Sequence, residues 1–233
     1  MISTVLFDFF GTLVAYHAKV RDQAFHATHE YLLHNGVAID YAVFLNHMES
    51  IFVRLEERSR TTLQEYNMHQ AVEAFAASVD APHLKGRLAT EFIDHYMEEW
   101  CAGISPKPGL LEVLDELAGD YQLGVVSNTH HRGLVPEQLE ALGISDYFES
   151  VVTSVDHGRP KPHESIYYAA LSALGAAPNR SVFVGDSYEA DFIGPRSIGM
   201  HALLISQQDH SSVPAALRVG SLREVTLAIA RVQ

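Results

Sequence analysis

Two textures of apolar and polar positions alternate along this chain. Residues 4–10, Thr4-Val5-Leu6-Phe7-Asp8-Phe9-Phe10, form a short run that is apolar but for one carboxylate. From residue 106 onward similar runs return: Leu123-Gly124-Val125-Val126, Ser150-Val151-Val152-Thr153, Ser181-Val182-Phe183-Val184 and His201-Ala202-Leu203-Leu204-Ile205. Between them, near 109–119, 133–142, 163–174, 190–198 and 221–230, apolar positions recur at helical spacing. Continuous apolar strands alternating with helices predict an α/β fold, a parallel sheet covered by helices on both faces.

Residues 16–105 carry almost no strand pattern. Phe25, Tyr31 and Leu32, then Phe44, Met48, Ile51, Phe52 and Leu55, then Met68, Val72 and Phe75, then Leu88, Phe92 and Tyr96 follow helical spacing. Breaks fall at Asn35-Gly36, Arg60-Thr61-Thr62 and Asp80-Ala81-Pro82, which predicts four helices packed as a bundle. Pro106-Lys107-Pro108-Gly109 marks the return to the strand-helix texture, since a residue before proline favours extended backbone. The expected layout is a core of 1–15 and 106–233 interrupted by an all-helical insertion of 16–105. There is no internal repeat and no low-complexity segment.

Composition narrows the partners. With 16 Lys+Arg against 29 Asp+Glu the net charge is −13, which argues against nucleic acid and anionic membranes, both of which need a basic surface. No apolar run approaches membrane-spanning length. Cys101 is the only cysteine, so no intrachain disulfide forms and a reducing cytoplasm is expected. Met1 leads directly into the first strand without a basic and apolar leader, so no signal peptide is expected. Oligomeric state is not legible in the sequence.

The chemistry gathers at strand ends. Asp8 stands at the tip of the first strand before Gly11-Thr12, where open α/β sheets bind ligands, and such a carboxylate can attack an electrophile directly. Thr12 adds a hydroxyl donor beside that turn. Ser127 and Asn128 follow another strand and place a hydroxyl and an amide at the same sheet edge, although both residue types also cap helices. Lys161, between Pro160 and Pro162 and just before a helix, is suited to neutralising an anion. Asp186, after the strand-ending Gly185, and Asp191 five residues on offer oxygen ligands that suit Mg²⁺. The histidines match no zinc spacing.

Asp8, Ser127-Asn128-Thr129, Lys161-Pro162 and Gly185-Asp186-Ser187-Tyr188-Glu189-Ala190-Asp191 together resemble the four motifs of the haloacid dehalogenase superfamily, over nearly the whole chain. The resemblance implies a Rossmann-like three-layer catalytic core with a helical cap at 16–105. It implies Asp8 as nucleophile, Thr12 beside it, Ser127 and Asn128 toward a substrate oxygen, and Lys161 toward the nucleophile and the substrate's charge. It also implies Mg²⁺ held by Asp8, Asp186, Asp191 and the Phe10 carbonyl. The substrate is expected to be a small anionic molecule, with the cap supplying contacts to its non-reacting part. Tyr16, His17 and Arg21, nearest the first motif, are candidates, and so is the charged segment 54–60.

One position departs from the family's commonest pattern. Phosphatases of this family carry a second Asp two residues after the nucleophile, where this chain has Phe10. That Asp protonates the leaving alcohol, and losing such a group costs roughly 10²–10⁴-fold in rate. Haloacid dehalogenases also lack it, because halide leaves unprotonated, but their fourth motif lacks the first acidic residue and they use no metal. Phe10 thus points toward displacement at carbon, whereas Asp186 and Asp191 point toward magnesium and phosphorus. Metal ligands have no purpose in the dehalogenase mechanism, so the expected activity is Mg²⁺-dependent phosphomonoester hydrolysis. Hydrolysis at carbon, or a binding or regulatory protein with little turnover, are the alternatives.

Overall fold

Each apolar run that ends in a polar residue becomes a strand of one parallel sheet. In the computed structural model, which describes residues 1–16, 20, 24–208 and 211–232, these strands are β1 (Thr4–Phe7), β2 (Gln122–Ser127), β3 (Ser150–Thr153), β4 (Ser181–Gly185), β5 (His201–Ile205) and the two-residue β6 (Arg218–Val219). Their order is β3-β2-β1-β4-β5-β6 and every pairing is parallel. The chain winds outward from β1 in both directions, so the order reverses between β1 and β4, the position where open α/β sheets leave a crevice. Register aligns Phe7 with Val125 on one side and with Val184 on the other, bringing the ends of β1, β2 and β4 to one edge.

β1 is fully buried, as expected for a central strand with helices on both faces. Leu6 and Phe183, in register on one face, pack with Val126 under Ile166, Tyr167, Ala170 and Leu171 of α8 (Glu164–Ala173). On α5 (Leu110–Ala118), Leu110, Val113, Leu114 and Leu117 form the buried stripe. Regular pairing of the first strand stops at Phe7, three residues short of the apolar run's end. Beyond it the chain turns, with Leu13 and Val14 N–H both donating to the Phe9 carbonyl.

The chain divides into two compact units, Met1–Ala15 with Pro106–Gln233, and Tyr16–Ser105. The second holds α1 (His26–His34), α2 (Tyr41–Thr62), α3 (Met68–Ser78) and α4 (Arg87–Cys101). Its centre is a lattice of rings: Phe75 stacks on Phe92 at 5.7 Å, Phe44 meets Phe92 edge-on at 6.4 Å, and Phe25 stacks on Tyr96 at 4.4 Å. Helix starts are anchored by side chains. Asp40 accepts from Ala42 and Val43 N–H, Asn67 and Gln70 cap each other's backbone, and Glu99 accepts from the Ala27 and Thr28 N–H groups at the head of α1. The break expected at Arg60-Thr61-Thr62 falls at the end of that stretch, after Thr62. Thr61 and Thr62 donate their hydroxyls to carbonyls one turn back and stay helical, and Leu63, just past the end of α2, caps it in a left-handed conformation, φ 50°. Among the described residues no helix is long and apolar enough to cross a membrane. His17 and Arg21 lie outside the described residues.

The ring lattice gives a direct test of the helical unit. Phe92→Ala should destabilise it by about 3–5 kcal/mol, the usual cost of emptying a buried phenylalanine site. Urea unfolding followed by near-ultraviolet circular dichroism measures this, and a loss below about 1 kcal/mol would mean that Phe92 is not part of its core.

Candidate active site

Asp8 is the first residue beyond β1, and its N–H donates to the Val184 carbonyl at 2.9 Å, which holds it against β4. Its Oδ1 accepts from Lys161 Nζ at 2.7 Å, and the same ammonium donates to Asp191 Oδ1 at 2.8 Å. All three side chains are withdrawn from solvent, Lys161 at 2 %, Asp8 at 9 % and Asp191 at 1 % exposure. Lys161 Nζ also lies 5.1 Å from the Phe183 ring centroid, close enough for a cation–π contact. Among the described residues Lys161 is the one partner of the Asp8 carboxylate, which leaves Oδ2 for other work.

Asp186 completes a group of carboxylates. One oxygen from each of Asp8, Asp186 and Asp191 lies within 4.8 Å of the others. Two glycines make this convergence possible. Gly11 turns with φ +88°, and a Cβ there would stand 2.2 Å from Asp186 Oδ2. A Cβ on Gly185 would stand 2.4 Å from the Cβ of Asp191, so Asp191 rests directly on the end of β4. Its second oxygen accepts from Ser187 N–H at 2.9 Å. The expected helix over 190–198 opens instead as a wide turn, Tyr188–Ile193, in which Gly194 N–H reaches the Glu189 carbonyl five residues back. Pro195, with no N–H to give, follows at the start of α9 (Gly194–Ser197).

The charge balance is uneven. Burial raises the pKa of Asp8 most, Lys161 pulls it down, and the Asp191 and Asp186 carboxylates push it back up, to about 7. Burial and Asp191 likewise raise that of Asp186, against Lys161. Burial would strip the Lys161 proton, but Asp191 and Asp8 outweigh it and its pKa rises. Against three converging carboxylates stand the Lys161 ammonium and, on Asp186, the weaker pull of Lys107, which leaves negative charge uncompensated. An all-oxygen donor set of that kind fits a hard divalent cation.

The other expected residues fall into distinct places. Ser127 ends β2, fully buried, and its hydroxyl has no hydrogen-bond partner; the Thr12 hydroxyl, in the turn after Asp8, is in the same condition. Buried hydroxyls without partners are uncommon and suit a site that a ligand completes. Asn128 turns both polar atoms of its side chain to the main chain of Lys161, its Oδ1 accepting from Lys161 N–H at 2.8 Å and its Nδ2 donating to the carbonyl at 3.0 Å. Phe10 is half-buried, its ring edge-on to Phe9 at 4.9 Å. Tyr16 belongs to the helical unit, where its ring stands 6.1 Å from Trp100.

Three supporting residues carry no sequence signal. Tyr167, fully buried on α8, donates its hydroxyl to the Ala190 carbonyl in the turn that carries Asp191. Phe183 lies beneath Lys161. Ser154 both accepts from Thr129 N–H, at 2.9 Å, and donates to the Thr129 carbonyl, at 3.1 Å. Each depends on a contact between residues more than 20 positions apart, which no local pattern encodes.

Similarity to known proteins agrees with this geometry. Over 109 residues the chain is 37% identical to glyceraldehyde 3-phosphate phosphatase of Methanothermobacter thermautotrophicus, covering 45% of this chain and 46% of that protein. The chain thus spans less than half the length of the first curated relatives it matches. Among solved structures, 2-haloacid dehalogenase from Pseudomonas syringae pv. tomato superposes with a TM-score of 0.74 at 22% identity, covering 99% of both chains. A haloacid dehalogenase superfamily phosphatase from Thermococcus onnurineus gives 0.68 at 24% identity, covering 98% of both. A phosphatase and a dehalogenase thus share this fold, which therefore does not choose between the two reactions. Residues 2–199 match the haloacid dehalogenase-like hydrolase family as a whole, and the chain belongs to that family of hydrolases.

Proposed function

We propose that this hydrolase cleaves small phosphomonoesters in a Mg²⁺-dependent reaction with Asp8 as nucleophile. The observation that carries the reading is the convergence of Asp186 and Asp191 on Asp8, where the one paired lysine bridges only Asp8 and Asp191. A carbon-displacing enzyme gains nothing from two further carboxylates beside its nucleophile, since they oppose negative charge at the reacting centre. A phosphate monoester brings negative charge of its own, and a site with ligands for a divalent cation can accept it. The relatives named as phosphatases support the same choice.

Asp8, Asp186, Asp191 and the Phe10 carbonyl would hold the cation. When bound, Mg²⁺ supplies positive charge against the phosphate oxygens. The remaining steps belong to the chain. Asp8 Oδ2 attacks phosphorus, an oxygen–phosphorus bond forms, and the bond to the leaving oxygen breaks, with its electron pair going to that oxygen. Lys161, anchored on Asp8 Oδ1, holds the nucleophile in one orientation and screens its charge from the incoming anion. The partnerless Ser127 hydroxyl donates to a non-bridging oxygen, and the equally partnerless Thr12 hydroxyl offers a second donor. Water then attacks phosphorus of the acyl phosphate and regenerates the Asp8 carboxylate. Phe10 has no proton for the departing oxygen, so good leaving groups are the natural substrates.

Hydrolysis at carbon is the second reading, and Phe10 is the observation that favours it. A protein that binds its ligand with little turnover is the third.

Three experiments test the assignment. Asp8→Asn should abolish turnover of p-nitrophenyl phosphate while the far-ultraviolet circular dichroism stays native, because an amide is a far poorer nucleophile; keeping about a tenth of the native rate would rule out the covalent step.

EDTA should silence the enzyme and Mg²⁺ restore it. Independently of turnover, Mg²⁺ should raise the melting temperature of the native protein and do so less for Asp186→Ala, because binding to the folded state stabilises it. Full activity in EDTA, with turnover of 2-haloacids, would move the protein to the carbon-displacing class.

Finally, the rate over phosphate esters of graded leaving-group pKa should fall steeply from aryl and acyl to alkyl phosphates. Phe10→Asp should flatten the series by raising the alkyl rates, up to the roughly 10²–10⁴-fold that a general acid contributes. A flat native series would show that another residue already supplies the proton, with His17 and His130 the first to test.

A further inference from the structure

Lys161 lies on the stretch between α7 (Ser154–His157) and α8, outside any helix or strand, so no ladder of backbone hydrogen bonds fixes it. Its neighbours Pro160 and Pro162 have no N–H, which makes Lys161 the one backbone donor of the three residues. That donor and the Lys161 carbonyl are both taken by the Asn128 side chain, at 2.8 and 3.0 Å. Asn128 is itself held in place. Its neighbour Thr129 is gripped through both main-chain groups by the buried Ser154 hydroxyl, at 2.9 and 3.1 Å. The ends of β2 and β3 and the lysine segment are thereby cross-stitched.

We infer that Asn128 is a positioning residue whose amide fixes the main chain of Lys161, and with it the ammonium that bridges Asp8 and Asp191, rather than a substrate contact. The chemistry supports this. A primary amide is the one neutral side chain that presents an acceptor and a donor side by side, matching the N–H and C=O of a single residue. Both atoms are occupied, so a substrate oxygen would have to displace a bond to Lys161. The lysine stem has four rotatable bonds, and a fixed Cα is what allows its end to meet two carboxylates at 2.7 and 2.8 Å. For its catalytic consequence the inference rests on the proposed hydrolase reading; the positioning itself does not.

The test therefore has two arms on the full-length protein. In the first, acetic anhydride labels lysine side chains and peptide mass spectrometry follows Lys161 against the exposed Lys85. Lys161 should be protected in the native protein and labelled about tenfold faster in Asn128→Ala, a change of about 1.4 kcal/mol in the opening equilibrium. Asn128→Asp has the native shape and serves if alanine impairs folding. It keeps the acceptor for Lys161 N–H but sets a carboxylate against the carbonyl, so labelling should rise again. Unchanged Lys161 labelling in a folded variant would overturn the proposal.

In the second arm, p-nitrophenyl phosphate with Mg²⁺ is the probe. Asn128→Ala should lower kcat about 10–100-fold, the size usual for residues that orient a functional group, with KM nearly unchanged. In a Lys161→Ala background the same substitution should cost little, because its effect runs through the ammonium. A rise in KM that persists in that background would show that Asn128 touches substrate, and overturn the proposal. If the native protein turns over no phosphate ester, the phosphatase reading fails while the labelling arm still decides the positioning.

Discussion

One buried ammonium governs this site. Lys161 bridges Asp8 and Asp191 where almost no water reaches, and an isolated charge of either sign would be expensive there. The pairing makes it possible to keep Asp8 inside the protein, but it is incomplete, since Asp186 adds a third carboxylate to the group. Burial first, and then the neighbouring Asp191 and Asp186 carboxylates, raise the Asp8 pKa against the pull of Lys161 to about 7. Asp8 has one oxygen tied to lysine and the other turned to no partner among the described residues.

The fold makes that arrangement possible by register. Because β1, β2 and β4 run parallel with their ends aligned, residues 8, 127 and 186 arrive together although more than 170 positions separate the first from the last. Gly11 and Gly185 then allow Asp186 and Asp191 to approach backbone that any side chain would block. The lysine reaches the group from a segment between helices, where side chains take over the role that a sheet ladder has elsewhere.

Much of this was legible in the residues. An apolar run that ends in a carboxylate is both a buried strand and a site, since a buried strand's tip is where its polar residue meets the crevice, and Asp8 and Asp186 carry that pattern openly. The helices of residues 16–105 were readable from their apolar spacing. What stayed hidden depends on contacts that local pattern does not encode. Asn128 read as a helix cap or a substrate contact, because nothing nearby in sequence points to the main chain of residue 161. The Tyr167 hydroxyl under the Asp191 turn, and Phe183 under Lys161, are decided by packing across the sheet. The threonines at 61 and 62 read as a break, yet their hydroxyls bond one turn back and both stay helical, so the helix closes only after Thr62.

The central claim is that Asp8 takes a phosphoryl group. Acid quench of the protein during turnover of p-nitrophenyl phosphate with Mg²⁺, in water enriched in ¹⁸O, followed by mapping of the Asp8 peptide, tests it directly. The account predicts a phosphoryl group on Asp8 and heavy oxygen in the released phosphate, with none in the regenerated carboxyl, because water attacks phosphorus. Full turnover with no phosphoryl group on that peptide, or heavy oxygen in the Asp8 carboxyl, would contradict it.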